Sequence, residues 1–176
     1  SQAIDRYLLS TTSVLAEHLS MVPEDKLDQE INRLVNEMNV SEIHITDGSG
    51  VIKWSTVSDF IGFDFHSSEQ TRPFLEGLDN ENFQLAQKAQ ERGTTKELFK
   101  YVGVSRVDKP GIVQVGVKPE KLQKLFDKID VASLAQSVNY GDNGYVYVTD
   151  LNGTVISHPN SQLMGSHIDQ FDLGDQ

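Results

Sequence analysis

Glu42-Ile43-His44-Ile45-Thr46-Asp47-Gly48-Ser49-Gly50-Val51-Ile52-Lys53-Trp54-Ser55-Thr56 is the stretch whose reading decides the fold. Apolar and polar residues alternate on both sides of an Asp-Gly-Ser-Gly interruption. A period of two sends successive side chains to opposite faces, and the interruption supplies turn residues, so the segment reads as strand, tight turn, strand. Further on, residues 95–107 and 112–117 flank Asp108-Lys109-Pro110-Gly111. Pro110 at the second and Gly111 at the third turn position predict a type II turn, and with it a second hairpin.

Outward from these hairpins the spacing becomes helical. Ile4, Leu8, Leu15 and Leu19 share one face of a helix over 3–20, with Tyr7 and Val14 alongside. Pro23 suits the first position of a second helix, on which Leu27, Ile31, Leu34, Val35 and Met38 follow. A short helix is expected around 72–78, a weaker one over 80–92 ending at Gly93, and another opening at Pro119. Strands joined by hairpins build an antiparallel sheet, so the class is α+β.

Composition narrows the function. Fifteen Lys and Arg against 26 Asp and Glu leave a net charge of −11 over 176 residues, which repels nucleic acid and anionic membrane alike. With no cysteine there is no disulfide framework, iron–sulfur cluster, thiol nucleophile or thiolate zinc site. Neither a membrane span nor a signal peptide is visible. A start at Ser1 is read as that of an excised fragment. The histidines at 18, 44, 66, 158 and 167 lack a metal-binding spacing, and Asp47 is explained by turn chemistry rather than calcium. No nucleophile elbow, phosphate loop or dinucleotide fingerprint is present, so neither catalytic residue nor cofactor is assigned.

Part of the chain repeats. Thr46-Asp47 matches Thr149-Asp150; Gly50 and Gly153 each follow three residues later, and Gly62 and Gly165 fifteen after the Asp. The offset of 103 residues suits two similar modules in tandem, the second cut short. A truncated module would expose strand edges and either dock on the first module or pair with another chain.

The order of motifs resembles a Cache sensor domain of the tandem type. A long leading helix is followed by Thr46-Asp47-Gly48-Ser49-Gly50, Ile61-Gly62-Phe63-Asp64-Phe65, Arg72-Pro73-Phe74 and Gly111-Ile112-Val113-Gln114-Val115-Gly116-Val117. His158-Pro159 and Met164-Gly165, within 144–165, resemble the opening of a second module. The resemblance implies a PAS-like (profilin-like) central antiparallel sheet flanked by helices. It also implies leading helices over 1–40, a membrane-distal module over 41–118, a connecting helix over 119–143 and a second module from 144 to 176. Residues 1–20 would continue a transmembrane helix.

Cache domains are the extracytoplasmic sensors of chemoreceptors, histidine kinases and diguanylate cyclases. The expected function is therefore ligand sensing in a membrane receptor, with a methyl-accepting chemotaxis protein first among the outputs. The receptor would be a homodimer, its ligand a small solute carrying a carboxylate. In amino-acid-binding members an Arg grips that carboxylate, which points to Arg72; Phe74 stands where those members have Trp, and Ser67 where they have Tyr. Tyr101 shares a strand face with Phe99 and is expected inside, as pocket wall or core, whereas Lys100 is expected in solvent. Trp54 would wall the pocket or pack the core; Phe74 and Gln114 complete the candidates. Two readings oppose the sensor: a cytoplasmic PAS-like dimerisation or interaction module without ligand, and a small hydrolase.

Overall fold

The computed structural model describes residues 2–91, 97–134, 137–140, 146–149 and 155–157. It has two compact units, residues 1–123 and 124–176.

In the first unit, helix α1 (Gln2–Ser20) buries Ile4, Leu8, Leu15 and Leu19, as their spacing requires. Each such side chain stabilises by about 1.5–3 kcal/mol when fully buried. Tyr7 and Val14 lie beside that face, 41% and 65% exposed. Helix α2 (Glu24–Glu37) follows, with Pro23 at its cap and Leu27 and Ile31 buried. Its end is closed by Asn39 at φ 57°, and the Val40 N–H reaches back to the Val35 carbonyl, 3.2 Å away.

Strands β1 (Glu42–Thr46) and β2 (Ile52–Ser55) form the first hairpin. Asp47 Oδ1 accepts from the Ser49 and Val51 N–H groups at 2.9 and 3.1 Å, and Gly50 takes φ 84°. A bulge at Lys53 shifts the register, so that Ile45 faces Trp54 while Thr46 faces Ile52. Strands β3 (Gln84–Ala86), β4 (Gln90–Glu91), β5 (Leu98–Ser105) and β6 (Ile112–Val117) complete an antiparallel sheet in the order β2-β1-β6-β5-β3, with β4 also on β5. The sheet and the leading helices make the fold α+β, as expected. Between β2 and β3 run three 3-10 turns at Ser58–Phe60, Phe65–Ser67 and Arg72–Leu78.

Residues 80–92, expected as a helix, hold β3 and β4 instead. β5 offers a long edge of backbone donors and acceptors that must be paired. Gln84, Leu85 and Ala86 pair it at Val104, Gly103 and Val102, and this outweighs a weak helical preference. Gly93 lies outside the described residues. The type II turn at Pro110-Gly111 is not formed either. The Ile112 N–H goes to Thr46 Oγ1 at 2.9 Å, the loop is closed by the Arg106 N–H on the Gly111 carbonyl, and Gly111 sits at φ 153°. A Cβ there would stand 2.6 Å from the Thr46 carbonyl oxygen.

Helix α3 (Pro119–Leu134) begins in the first unit. The second unit holds an antiparallel sheet β7-β8-β9 of Ser137–Tyr140, Val146–Thr149 and Val155–Ser157. Residues 137–140 are thus a strand, not a continuation of the connecting helix. β8 and β9 pair Val148 with Ser157 and Thr149 with Val155, and the register shifts between them. Those four residues are Ile45, Trp54, Thr46 and Ile52 advanced by the same 103 positions, so the bulge recurs too. Asp150, Gly153, Gly165, His158 and His167 lie outside the described residues.

Candidate functional site

Alternation gives the sheet two different faces. One carries Ile43 and Ile45 of β1, Val113 and Val115 of β6, and Val102 and Val104 of β5, paired across the strands. Helices α1 and α2 cover it: Ala16, Leu19 and Leu27 meet Ile45 and Val113. The other face carries Glu42, His44, Gln114, Gly116 and Tyr101. On that side the three 3-10 turns lie over the sheet and leave a cavity of about 230 Å³. At roughly 30 Å³ per water, that is room for about seven waters or a metabolite-sized solute.

His44, Ile52, Tyr101 and Gln114 form the floor. Phe60, Phe63, Phe65, Ser68, Gln70 and Thr71 form the wall, contributed by the 57–79 segment. A small cluster of Phe side chains with a few convergent polar groups is the usual make-up of a ligand site. A larger hollow of about 440 Å³ lies between α1 and α2, bordered by Val14, Leu15, Leu34 and Met38. It is an open furrow between two helices, without such a floor, and we place the site at the sheet.

On the same sheet face as the floor runs a buried polar chain across three strands. The Tyr101 hydroxyl donates to Glu42 Oε1 at 2.6 Å, and His44 Nε2 lies 3.1 Å from the same oxygen. His44 Nδ1 meets Ser55 Oγ at 2.8 Å. Glu42 is only 1% exposed, and a carboxylate so buried is tolerated only when hydrogen-bonded. Tyr101 and Glu42 reach each other across β6 because residue 116 is glycine: a Cβ there would stand 2.7 Å from Glu42 Cγ and 2.8 Å from Tyr101 Cε1.

Ser55, His44 and Glu42 superficially evoke a hydrolytic triad. Ser55 is 3% exposed, accepts the Val57 N–H at 2.9 Å and does not line the cavity, so its hydroxyl has no access to a substrate there. Among the described residues no group of three His, Cys, Asp or Glu side chains could hold a metal ion. No described helix is long and apolar enough to cross a membrane.

Of the five residues singled out in the sequence, the structure brings Tyr101 and Gln114 to the cavity. Trp54 pairs across from Ile45, hence lies on the helix-covered face, where the Arg106 guanidinium sits 5.3 Å from its ring centre. Phe74 is fully buried among Phe65, Phe99 and Ile112, closing over Gly103. Arg72 is exposed and donates from Nε to the His66 carbonyl at 3.1 Å. The expectation that Lys100 is solvated is overturned. It is 6% exposed, bonded to the Gln87 carbonyl at 2.7 Å and paired with Asp5 of α1.

The sequence reading missed Glu42, His44 and the aromatic wall. Alternation puts Glu42, His44 and Thr46 on one face without telling whether that face meets solvent or a cavity. What could have marked it as internal is the Phe-rich 60–74 segment, which needs a face to cover.

No family model matches the chain, and no curated relative matches it. Solved structures do resemble it. An extracellular ligand binding receptor from Desulfohalobium retbaense superposes with a TM-score of 0.51 at 19% identity, over 96% of this chain and 30% of that one. The sensory domain of the Campylobacter jejuni chemoreceptor Tlp3, with isoleucine bound, gives 0.54 at 12% identity over 82% and 62%. An extracellular domain assigned to a histidine kinase, rpHK1S-Z16, gives 0.55 at 14% identity over 97% and 71%. The chain thus spans less than a third of the first of these and under two thirds of the second. The fold of this chain is that of extracellular sensor domains from chemoreceptors and histidine kinases.

Proposed function

We propose that the protein is the extracytoplasmic sensor domain of a membrane receptor and binds a small solute in the cavity between the β1–β6–β5 floor and the 57–79 wall. The observation that carries this reading is the cavity itself: about 230 Å³, with Tyr101 and Gln114 on its floor, in a fold shared with extracellular sensors. A ligand carboxylate was to rest on Arg72. That residue is exposed and does not line the cavity, so the proposal keeps the small solute and drops the Arg72 contact.

Signalling follows from the sheet's two faces. The 57–79 wall closes on the solute, and α1, packed on the opposite face, relays occupancy. The ligand shifts α1 only by its difference in affinity for the two arrangements. The repeated bulge of the β1–β2 and β8–β9 hairpins supports a tandem arrangement of two like modules. A chemotaxis receptor is the proposed whole protein; the likeness to rpHK1S-Z16 favours a histidine kinase as the second reading.

A thermal-shift screen of small metabolites tests the site, using the wild type and Ser68→Trp, which fills the cavity from its wall. Binding stabilises the native state, so at least one solute should raise the wild-type Tm and leave the variant's unchanged. Equal shifts in both proteins would remove the cavity from the account. No shift with any solute would favour the ligand-free interaction module.

A further inference from the structure

We propose that Gln87 couples the cavity wall to the leading helix, tying Gln70 on one side to the Lys100–Asp5 pair on the other. The inference rests on the cavity being the ligand site, and it names the residue through which that site governs α1.

Gln87 follows β3 directly and is half-buried at the start of its connection to β4. Its groups are engaged in different directions. The backbone N–H donates to the Tyr101 carbonyl at 2.9 Å, which holds the segment on β5. The side-chain Nε2 donates to the Gln70 carbonyl at 2.7 Å, and Gln90 Nε2 donates to Gln87 Oε1 at 2.9 Å. The Gln87 carbonyl accepts from Lys100 Nζ at 2.7 Å, and the same ammonium lies 2.5 Å from Asp5 Oδ1 on α1. One continuous set of bonds thus runs from Gln70 through Gln87 and Lys100 to Asp5. Gln87 does not line the cavity, so it acts on the site as a positioning residue.

Each end of this set responds to a different event. At the cavity, Gln70 Nε2 is buried in the wall and has no hydrogen-bond partner. A solute oxygen, neutral or charged, relieves that cost, so occupancy acts on the residue whose carbonyl Gln87 holds. At the helix, the Lys100 side chain is 8% exposed and that of Asp5 is 35% exposed. Water can therefore take over the carboxylate, whereas the buried ammonium must keep a protein partner. When α1 carries Asp5 away, the Gln87 carbonyl is the acceptor left to Lys100. The two arrangements differ in discrete pairing: the ammonium shared between α1 and Gln87, or held by Gln87 alone. A solute that shifts Gln70 biases this balance through Gln87, and a shift of α1 biases the cavity wall by the same factor, because coupling is reciprocal. The neighbouring backbone of Lys100 and Tyr101 on β5 is a parallel route, and the two are separable by cutting the Gln87 side chain alone.

Nitrogen–proton spectra of the labelled chain test the coupling without a solute. Asp5→Asn keeps the side-chain shape and removes the charge; it should move the backbone signals of Lys100 and Gln87 and both the backbone and side-chain signals of Gln70. Adding Gln87→Met, which keeps the side-chain length and removes the donor, should abolish the movement at Gln70 and leave that at Lys100. Gln87→Glu, which sets an oxygen against the Gln70 carbonyl, serves the same purpose should Gln87→Met fail to fold. In the other direction, Ser68→Trp should move the Asp5 and Arg6 signals, and should no longer do so with Gln87→Met. Glu17→Gln, at an exposed α1 carboxylate outside this set of bonds, should leave Gln70 unmoved. A Gln70 unmoved by Asp5→Asn overturns the proposal. Movement that survives Gln87→Met in full also overturns it, by assigning the coupling to the β5 backbone. Either result beside a Ser68→Trp-sensitive thermal shift removes the coupling and leaves the binding site standing.

Discussion

Lys100 and Tyr101 are consecutive on β5 and point to opposite faces of the sheet, where each is fixed by a carboxylate on its own side. Tyr101 donates to Glu42 at 2.6 Å on the cavity face, while Lys100 Nζ lies 2.5 Å from Asp5 Oδ1 on α1. A strand cannot displace one of these side chains without moving the other, because their Cβ atoms alternate on one backbone. β5 is thus the covalent link between the cavity and the leading helix.

Replacing Lys100 with Met should keep the volume of the buried stem and lose both the Asp5 pair and the Gln87 bond. A destabilisation of about 1–3 kcal/mol is expected, since charged hydrogen bonds are the stronger ones and Asp5 is left without its cation. Urea denaturation checks the stability, and solute binding to the folded variant should persist, as Lys100 does not line the cavity.

Tyr101→Phe removes one hydroxyl. The Glu42 carboxylate then stays buried with a donor missing, at a cost of about 1–3 kcal/mol, and the cavity floor loses a polar group. Both the unfolding midpoint and solute affinity should fall. Arg72→Ala is the contrasting variant: its guanidinium is exposed, so stability should change by less than about 0.5 kcal/mol and affinity should not change.

Gly116→Ala tests the packing that lets Glu42 and Tyr101 meet. The new methyl would overlap Glu42 Cγ and Tyr101 Cε1, neither of which can retreat from a buried sheet face. Overpacking of this kind typically costs about 1–3 kcal/mol. The loss should shrink in the Gly116→Ala, Tyr101→Phe double variant if the two sites are coupled through one space.

Acid should weaken the first hairpin. Burial pushes the Asp47 carboxyl up, but the N–H groups of Val51 and Ser49 and the Lys53 ammonium outweigh it and leave it below the usual carboxylate range. The His66 N–H and side chain likewise hold Asp64 low. A carboxylate depressed in the folded state contributes stability that is complete above its unfolded pKa and lost as pH falls through the folded value. Stability should therefore drop below about pH 4. Urea midpoints between neutral pH and pH 2.5 measure the drop, and Asp47→Asn should make it shallower.

Local chemistry made the main elements legible in the sequence. The 42–56 hairpin is written in its alternation and in Asp47 and Gly50; α1 and α2 are written in the spacing of Ile4, Leu8, Leu27 and Ile31. What eluded the sequence depends on partners distant along the chain. β3 and β4 exist because β5 has an edge to fill, and Lys100 is buried because Asp5 meets it 95 positions away. Glu42 is internal only because Tyr101, 59 positions on, bonds it across a glycine. Alternation alone leaves Trp54 open between pocket wall and core; the bulge at Lys53 leaves Ile52 on the cavity side and turns the indole to the helices. Arg72 follows a similar lesson: the family resemblance implies a ligand clamp, while the 3-10 turn that carries it points Phe74 inward and the guanidinium out.

The most direct measurement is a nitrogen–proton NMR titration of the labelled protein with a solute that raises its melting temperature. The account predicts that the side-chain amide signals of Gln70 and Gln114, and the backbone signals of residues 68–71 and 101, move first and furthest. Shifts confined to Val14, Leu34 and Met38 in the α1–α2 furrow, with those amides unmoved, would contradict it.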